Sequence, residues 1–117
     1  MLERFRRAVR ILLVLVLLGA VVRHAAAAAG LIPAIDPPIR HVAWIAINLL
    51  LLYGLVTDAR WLWLALLPVT VQQLTSHGVS AYRWATGVGP FDAVSLVVVV
   101  ALGLVWWLLL ARPRGSS

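Results

Sequence analysis

The sequence predicts an all-α polytopic membrane protein whose four transmembrane helices form an up-down-up-down bundle. Three observations predict it: an apolar composition, four long apolar stretches and short connections between them. Of the 117 residues, 63% are hydrophobic and 12% are charged, and the mean hydropathy is +1.00. Soluble domains are about half apolar and about a quarter charged. The composition therefore excludes a water-soluble domain, a disordered chain and a DNA-binding module.

Four apolar stretches are long enough, or nearly long enough, to cross a bilayer. A spanning helix needs about 20 apolar residues for a hydrocarbon core about 30 Å thick. The stretches cover approximately residues 8–29, 39–56, 61–76 and 93–111, and the third is the shortest. Backbone polar groups in lipid must bond internally, so we expect helices and not isolated strands. The first stretch is longer than the core of a signal peptide, and we expect it to be retained.

Prolines, glycines and polar residues mark the three connections. The prolines in residues 30–38 prevent a continuous helix there. Residues 57–60 read as a tight turn in which Asp58 is the expected N-cap of the third helix. The longest loop is expected over residues 78–90, followed by Asp92 as the N-cap of the fourth helix. Connections this short make consecutive helices antiparallel neighbours.

The arginines predict that both termini lie in the cytoplasm. All 10 basic residues are arginines, against 4 acidic residues, and the formal net charge is +6. With a cytoplasmic N-terminus, the inner side carries Arg4, Arg6, Arg7, Arg10, Arg60, Arg112 and Arg114, and the outer side carries Arg23, Arg40 and Arg83. Cytoplasmic loops are enriched in arginine and lysine, so this bias is a topology signal and an attraction to anionic lipid. It implies no nucleic-acid partner. We assign no function to residues 115–117.

The polar residues of the predicted spans gather in the outer half. No charged residue lies in the middle of any span, which argues against a proton-coupled antiporter, a proton pump and a voltage sensor. The three histidines come from three different helices, and two of them directly follow an arginine. The candidate ligand-binding residues are Arg23, His24, Arg40, His41, Asn48, Gln73, His77 and Asp92.

Helical spacing groups some of these candidates. Gln73 and His77 share one face of the third helix, and Asp92 and Ser95 share one face at the start of the fourth. A pair formed by Asp92 with either His77 or His41 would supply an acid and a base. The sequence contains no serine-nucleophile motif, phosphate-binding glycine loop or carboxylate pair, so the catalytic residues stay unassigned. It also contains no cysteine.

Four hypotheses account for this group of polar residues. First, they join helices by hydrogen bonds in a non-enzymatic subunit or accessory component. Second, they line an outer-leaflet pocket, with or without catalysis, for a lipid or other apolar ligand with a polar head. Third, two or three histidines ligate haem or a metal ion, although the neighbouring arginines would repel a cation. Fourth, they line a transport path, although the inner half lacks a polar route.

The first hypothesis is the one we favour from the sequence. It makes the lipid bilayer the immediate environment and a second copy, or another membrane protein, the expected partner. It predicts neither an enzyme activity nor a resident cofactor or metal. The pocket, the haem or metal site and the transport path remain as alternatives.

Overall fold

The protein is all-helical over residues 1–112, the part of the chain that the computed structural model describes. The helices are α1 (Leu2–Ala28), α2 (Pro38–Val56), α3 (Leu62–Gln73), a π-helical segment (Leu74–Gly78), α4 (Val79–Ala85) and α5 (Ala93–Leu110). Three of them, α1, α2 and α5, are long and apolar enough to cross a membrane. The predicted all-α class is confirmed for these residues. Arg114 and residues 115–117 lie outside the described part.

The chain divides into two compact units, Met1–Leu62 and Trp63–Ser117. In the first unit, α1 and α2 form a packed hairpin. Its α1 begins at Leu2 and not near residue 8, so the N-terminal arginines are part of the helix. Apolar side chains buried in this unit include Leu13, Leu51 and Leu55.

The turn of this hairpin follows from one glycine and two prolines. Gly30 has φ +74°, a left-handed conformation that glycine adopts without steric cost. The N–H of Leu31 donates to the carbonyl of Ala26 at 2.9 Å, which completes a Schellman motif at the end of α1. Pro37 is extended, and Pro38 occupies the first turn of α2, where a missing N–H costs nothing.

The end of α2 corrects the role predicted for Asp58. This residue has φ +53° and follows the last turn of α2, where the N–H of Ala59 donates to the carbonyl of Gly54 at 2.9 Å. It therefore occupies the left-handed position that usually carries glycine, and it does not cap the third helix, which begins four residues later at Leu62. Its carboxylate also lies 3.5 Å from the guanidinium of Arg10.

The second unit corrects the loop predicted over residues 78–90. The segments α3, Leu74–Gly78 and α4 follow one another as an unbroken helical run to Ala85. Gly78 has helical angles, φ −63° and ψ −42°, and no proline lies between Gly78 and Pro90. The run ends in a second Schellman motif, with Gly87 at φ +75° and the N–H of Val88 bonded to the carbonyl of Arg83 at 2.8 Å.

The π-helical segment positions His77. Such a segment forms i→i+5 hydrogen bonds, is rare, and is frequent at functional sites when it interrupts an α-helix. It contacts α5, and α4 contacts α5 as well. The predicted N-cap of α5 is confirmed, because the Asp92 carboxylate accepts a hydrogen bond from the N–H of Ser95. The helix itself covers Ala93–Leu110, where the sequence predicted a fourth helix over residues 93–111.

Candidate functional site

In the first unit, the structure brings His24 and His41 into direct contact. Their Nδ1 atoms are 3.0 Å apart, and their ring centroids are separated by 5.3 Å. His24 comes from the end of α1 and His41 from the start of α2, which the hairpin turn places side by side. The indole of Trp44 stacks on the His24 ring at 6.2 Å with an interplanar angle of 17°. We call His24 and His41 the imidazole pair.

The contact between the two rings requires a single shared proton. An N–H on one Nδ1 must face a lone pair on the other, so the rings hold different tautomers or one is protonated. The Nε2 atom of His41 is buried and has no hydrogen-bond partner among the described residues. A buried polar atom without a partner costs about 1–3 kcal/mol. The imidazole pair therefore holds α1 to α2 at the expense of one unsatisfied atom.

The residues around the imidazole pair are also engaged within the hairpin. Arg40 forms an ion pair with Asp36, its neighbour one turn earlier, at 2.8 Å. The side-chain amide of Asn48 is buried and donates to the carbonyl of Trp44 at 2.8 Å. Arg23 is exposed and has no partner in the part of the chain that the structure describes. Among the predicted ligand-binding residues of this hairpin, only Arg23 has a side chain with no polar contact to the described residues.

The Nδ1 atoms of the imidazole pair bond to each other and are not spaced as two ligands of one metal ion. Two axial nitrogens on opposite faces of an iron are separated by about 4 Å, twice a typical metal–nitrogen bond. The Nδ1 atoms of His24 and His41 are 3.0 Å apart, as in a direct hydrogen bond. Among residues 1–112, no group of three or more His, Cys, Asp and Glu side chains is arranged to hold a metal ion.

In the second unit, Asp92, Ser95 and His77 form one hydrogen-bonded series. The Ser95 hydroxyl donates to Asp92 Oδ2 at 2.5 Å, and His77 Nδ1 lies 2.9 Å from the Ser95 hydroxyl oxygen. The N–H of Ser95 donates to Asp92 Oδ1 at 3.0 Å, so both carboxylate oxygens are occupied. Ser95 is fully buried. We call Asp92, Ser95 and His77 the acidic bridge, because it joins α5 to the π-helical segment.

The hydrogen bonds of the acidic bridge keep its carboxylate ionised. The bond from the Ser95 hydroxyl lowers the pKa of Asp92 below its ordinary value of 3.8, and the bond from the Ser95 N–H acts in the same direction. Burial opposes this shift, whereas the charge on a protonated His77 adds to it. The sequence left Asp92 paired with either His77 or His41, and the structure joins Asp92 to His77 through Ser95 and not directly.

The second unit contains one more cross-helix bond that the sequence analysis missed. The indole N–H of Trp106 donates to the hydroxyl of Thr70 at 2.9 Å and links α5 to α3. Gln73, a predicted site residue, instead donates its side-chain amide to the neighbouring Gln72 at 2.8 Å. A signal for Ser95 was present in the sequence, since it follows Asp92 by three residues on one helix face. Serine in a span nevertheless carries no motif that marks it as the centre of a site.

No protein-family model matches the chain, and comparisons with curated proteins and with solved structures found no match. The function is therefore inferred from the two hydrogen-bonded groups, the helices that carry them and the distribution of charge.

Proposed function

We propose that the protein is a small integral membrane component that crosses the bilayer four times and packs with a second copy or with another membrane protein, without enzymatic activity. One observation carries this proposal. Of the eight predicted site residues, all but Arg23 have a hydrogen bond or ion pair within the chain. Two of these contacts, His24–His41 and His77–Ser95, join helical segments, and the others are local. Together they leave few polar atoms for a substrate.

The fourth crossing is the composite run of α3, the π-helical segment and α4. These segments have 12, 5 and 7 residues, and at 1.5 Å per residue they reach about 36 Å, enough for a hydrocarbon core of about 30 Å. With four crossings, both termini lie on one side. The arginine bias favours the cytoplasm for that side.

Cysteine scanning tests this topology cleanly, because the natural chain has no cysteine. We expect a membrane-impermeant thiol reagent to label Ile35→Cys and Val88→Cys from outside intact cells. Arg60→Cys should react only after the membrane is opened. Ile35 and Val88 are exposed turn residues, and Arg60 is exposed in the turn after α2. Labelling of Val88→Cys from the inside, with Ile35→Cys labelled from the outside, would contradict a fourth crossing.

The association with a partner is tested in native membranes. Full-length protein carrying one fluorophore per chain should bleach in two or more steps per particle, or crosslink at fixed stoichiometry to one other membrane protein. Dilution with excess lipid is the control, since chance co-localisation falls in proportion to density. Single-step bleaching together with an absence of crosslinked species would refute the proposed function.

A further inference from the structure

We propose that the Nε2 atom of His77 is a hydrogen-bond acceptor site for the hydroxyl group of an apolar, membrane-dissolved molecule of the phenol or quinol class. Two features support it. The acidic bridge fixes which nitrogen of His77 carries the proton, and the other nitrogen is open. The proposal makes no assumption about the oligomeric state, so its test is independent of the proposed packing function.

The direction of each hydrogen bond follows from the ionised carboxylate. Asp92, which is held ionised, can only accept. The single O–H of Ser95 lies 2.5 Å from Asp92 Oδ2 and is used there, so the Ser95 oxygen can only accept from the ring of His77, 2.9 Å away. The Nδ1 atom of His77 must therefore carry a hydrogen. In the neutral ring this leaves a lone pair on Nε2.

The lone pair on His77 is reachable. The ring is half-buried, and its Nε2 has no partner among residues 1–112 and is not enclosed by protein. The Nε2 of His41, by contrast, is sealed and cannot receive a ligand. In His77, the hydroxyl–carboxylate pair holds one ring nitrogen and leaves the other for a ligand. Imidazoles that bind ligands in other proteins are oriented in the same way.

The surroundings of His77 select the chemistry of the ligand. The residue lies about two turns before the end of the helical run at Ala85, roughly 12 Å along the helix. Leu74 and Val79, on either side of it in the chain, are exposed apolar residues. An aromatic or alkyl body fits beside them. A lone pair repels phosphate and carboxylate, and a charged ammonium is costly at this depth, so a neutral hydroxyl is the donor of choice.

A matched pair of probes tests the site, namely 4-hexylphenol and its methyl ether, 4-hexylanisole. The full-length protein, labelled with ¹⁵N-histidine, is placed in lipid nanodiscs at roughly pH 8, where histidine is ordinarily neutral. Before any probe is added, His77 should show a protonated Nδ1 and an unprotonated Nε2. We expect 4-hexylphenol to shift the Nε2 signal of His77 in a saturable way, and 4-hexylanisole to leave it unchanged.

Two variants separate this site from a general effect of the probe. Ser95→Ala removes the group that fixes the His77 tautomer and should weaken 4-hexylphenol binding roughly three- to tenfold, the value of one hydrogen bond. Ser80→Ala, on the neighbouring helix α4, is the matched control and should leave binding unchanged. His77→Phe should reduce the affinity for the phenol to that for the ether, because the acceptor is gone.

Three results would overturn the proposal: a protonated Nε2 on His77 in the unliganded protein, equal shifts from the phenol and its ether, or equal phenol affinity in wild type and Ser95→Ala. None of these results bears on topology or on association with a partner, which the thiol labelling and bleaching experiments measure.

Discussion

The imidazole pair and the acidic bridge both use a histidine Nδ1 to hold two helical segments together, yet their chemistry differs. In the imidazole pair, two like groups share one proton, and the contact itself is compatible with either ring as the donor. In the acidic bridge, an ionised carboxylate decides the direction of every bond in the series. The carboxylate of Asp92 therefore defines the tautomer of His77 through Ser95.

The comparison extends to the second nitrogen of each ring. The Nε2 of His41 is buried without a partner, so this nitrogen of the imidazole pair is closed to ligands. The Nε2 of His77 is open, and the acidic bridge leaves it a lone pair. His77 thus joins two helical segments and still offers a nitrogen to a ligand, whereas the buried Nε2 of His41 offers none.

The largest effect is expected from Ser95→Ala. The substitution takes the hydroxyl donor from Asp92 and the acceptor from the Nδ1–H of His77, so two polar groups lose a partner at once. We expect the free energy of unfolding to fall by about 2 kcal/mol. Steric trapping or denaturant unfolding in lipid–detergent bicelles measures it, with Ser80→Ala as the control. A loss equal to that of Ser80→Ala would mean that the acidic bridge does not stabilise the unit.

The second prediction tests whether the two rings of the imidazole pair contribute to stability only together. His24→Phe leaves both nitrogens of His41 unsatisfied and should cost about 1 kcal/mol. The double variant His24→Phe, His41→Phe removes both polar partners and the sealed Nε2, and should return to within about 0.5 kcal/mol of wild type. The same bicelle unfolding measurement gives all three values. Additive losses in the double variant would contradict this account of the pair.

The sequence predicted parts of each group, and the reasons are physical. Antiparallel helices joined by a proline-containing turn must place the end of α1 beside the start of α2, so two Arg-His dipeptides there were bound to be neighbours. The acidic bridge depends on a π-helical segment, for which the sequence carries no recognised pattern. Asp92 was predictable as an N-cap, whereas the central role of Ser95 required knowing where His77 points.

Turn geometry was predictable where glycine stands and not where aspartate replaces it. Gly87 marks the end of a helix in the sequence, although the loop predicted around it began too early, since Gly78 continues the helix. Asp58 precedes a hydrophobic run and is therefore typical of an N-cap. Its left-handed conformation follows instead from the way in which α2 ends, which the residue type alone did not indicate.

The third prediction separates the two groups by pH. When both rings of the imidazole pair are protonated, neither Nδ1 keeps a lone pair, and their hydrogen bond is lost. Arg23 on α1 adds positive charge beside the pair, while Arg40 on α2 is neutralised by Asp36. Acidification that protonates both rings should therefore weaken the hairpin by about 0.6 kcal/mol, an average membrane hydrogen bond. The ¹⁵N–¹⁵N coupling across the pair reports it.

The acidic bridge should survive the same change. A protonated His77 still donates through Nδ1 to Ser95, because the added proton sits on Nε2. The pKa of Asp92 is lowered in the folded protein, so its contribution to stability is complete above the ordinary value of 3.8 and is lost only as the pH falls below it. At pH 5 the His77–Ser95 contact should persist in the ¹⁵N spectrum, and its disappearance together with the imidazole coupling would remove the distinction between the two groups.

The last prediction concerns the residues in left-handed conformation at two helix ends. Gly87→Ala forces a Cβ into a left-handed conformation at φ +75° and should destabilise the second unit by about 1 kcal/mol.

Asp58→Gly relieves the same strain in the first unit, at φ +53°, but removes the carboxylate that faces Arg10 at 3.5 Å. An exposed ion pair of this kind is worth at most about 1 kcal/mol. The two terms nearly cancel, so the unfolding free energy of Asp58→Gly should stay within about 0.5 kcal/mol of wild type. Asp58→Asn, which tolerates the left-handed conformation but lacks the charge, isolates the ion pair. If Asp58→Asn is as stable as wild type while Asp58→Gly is clearly more stable, backbone strain and not the contact with Arg10 governs this turn.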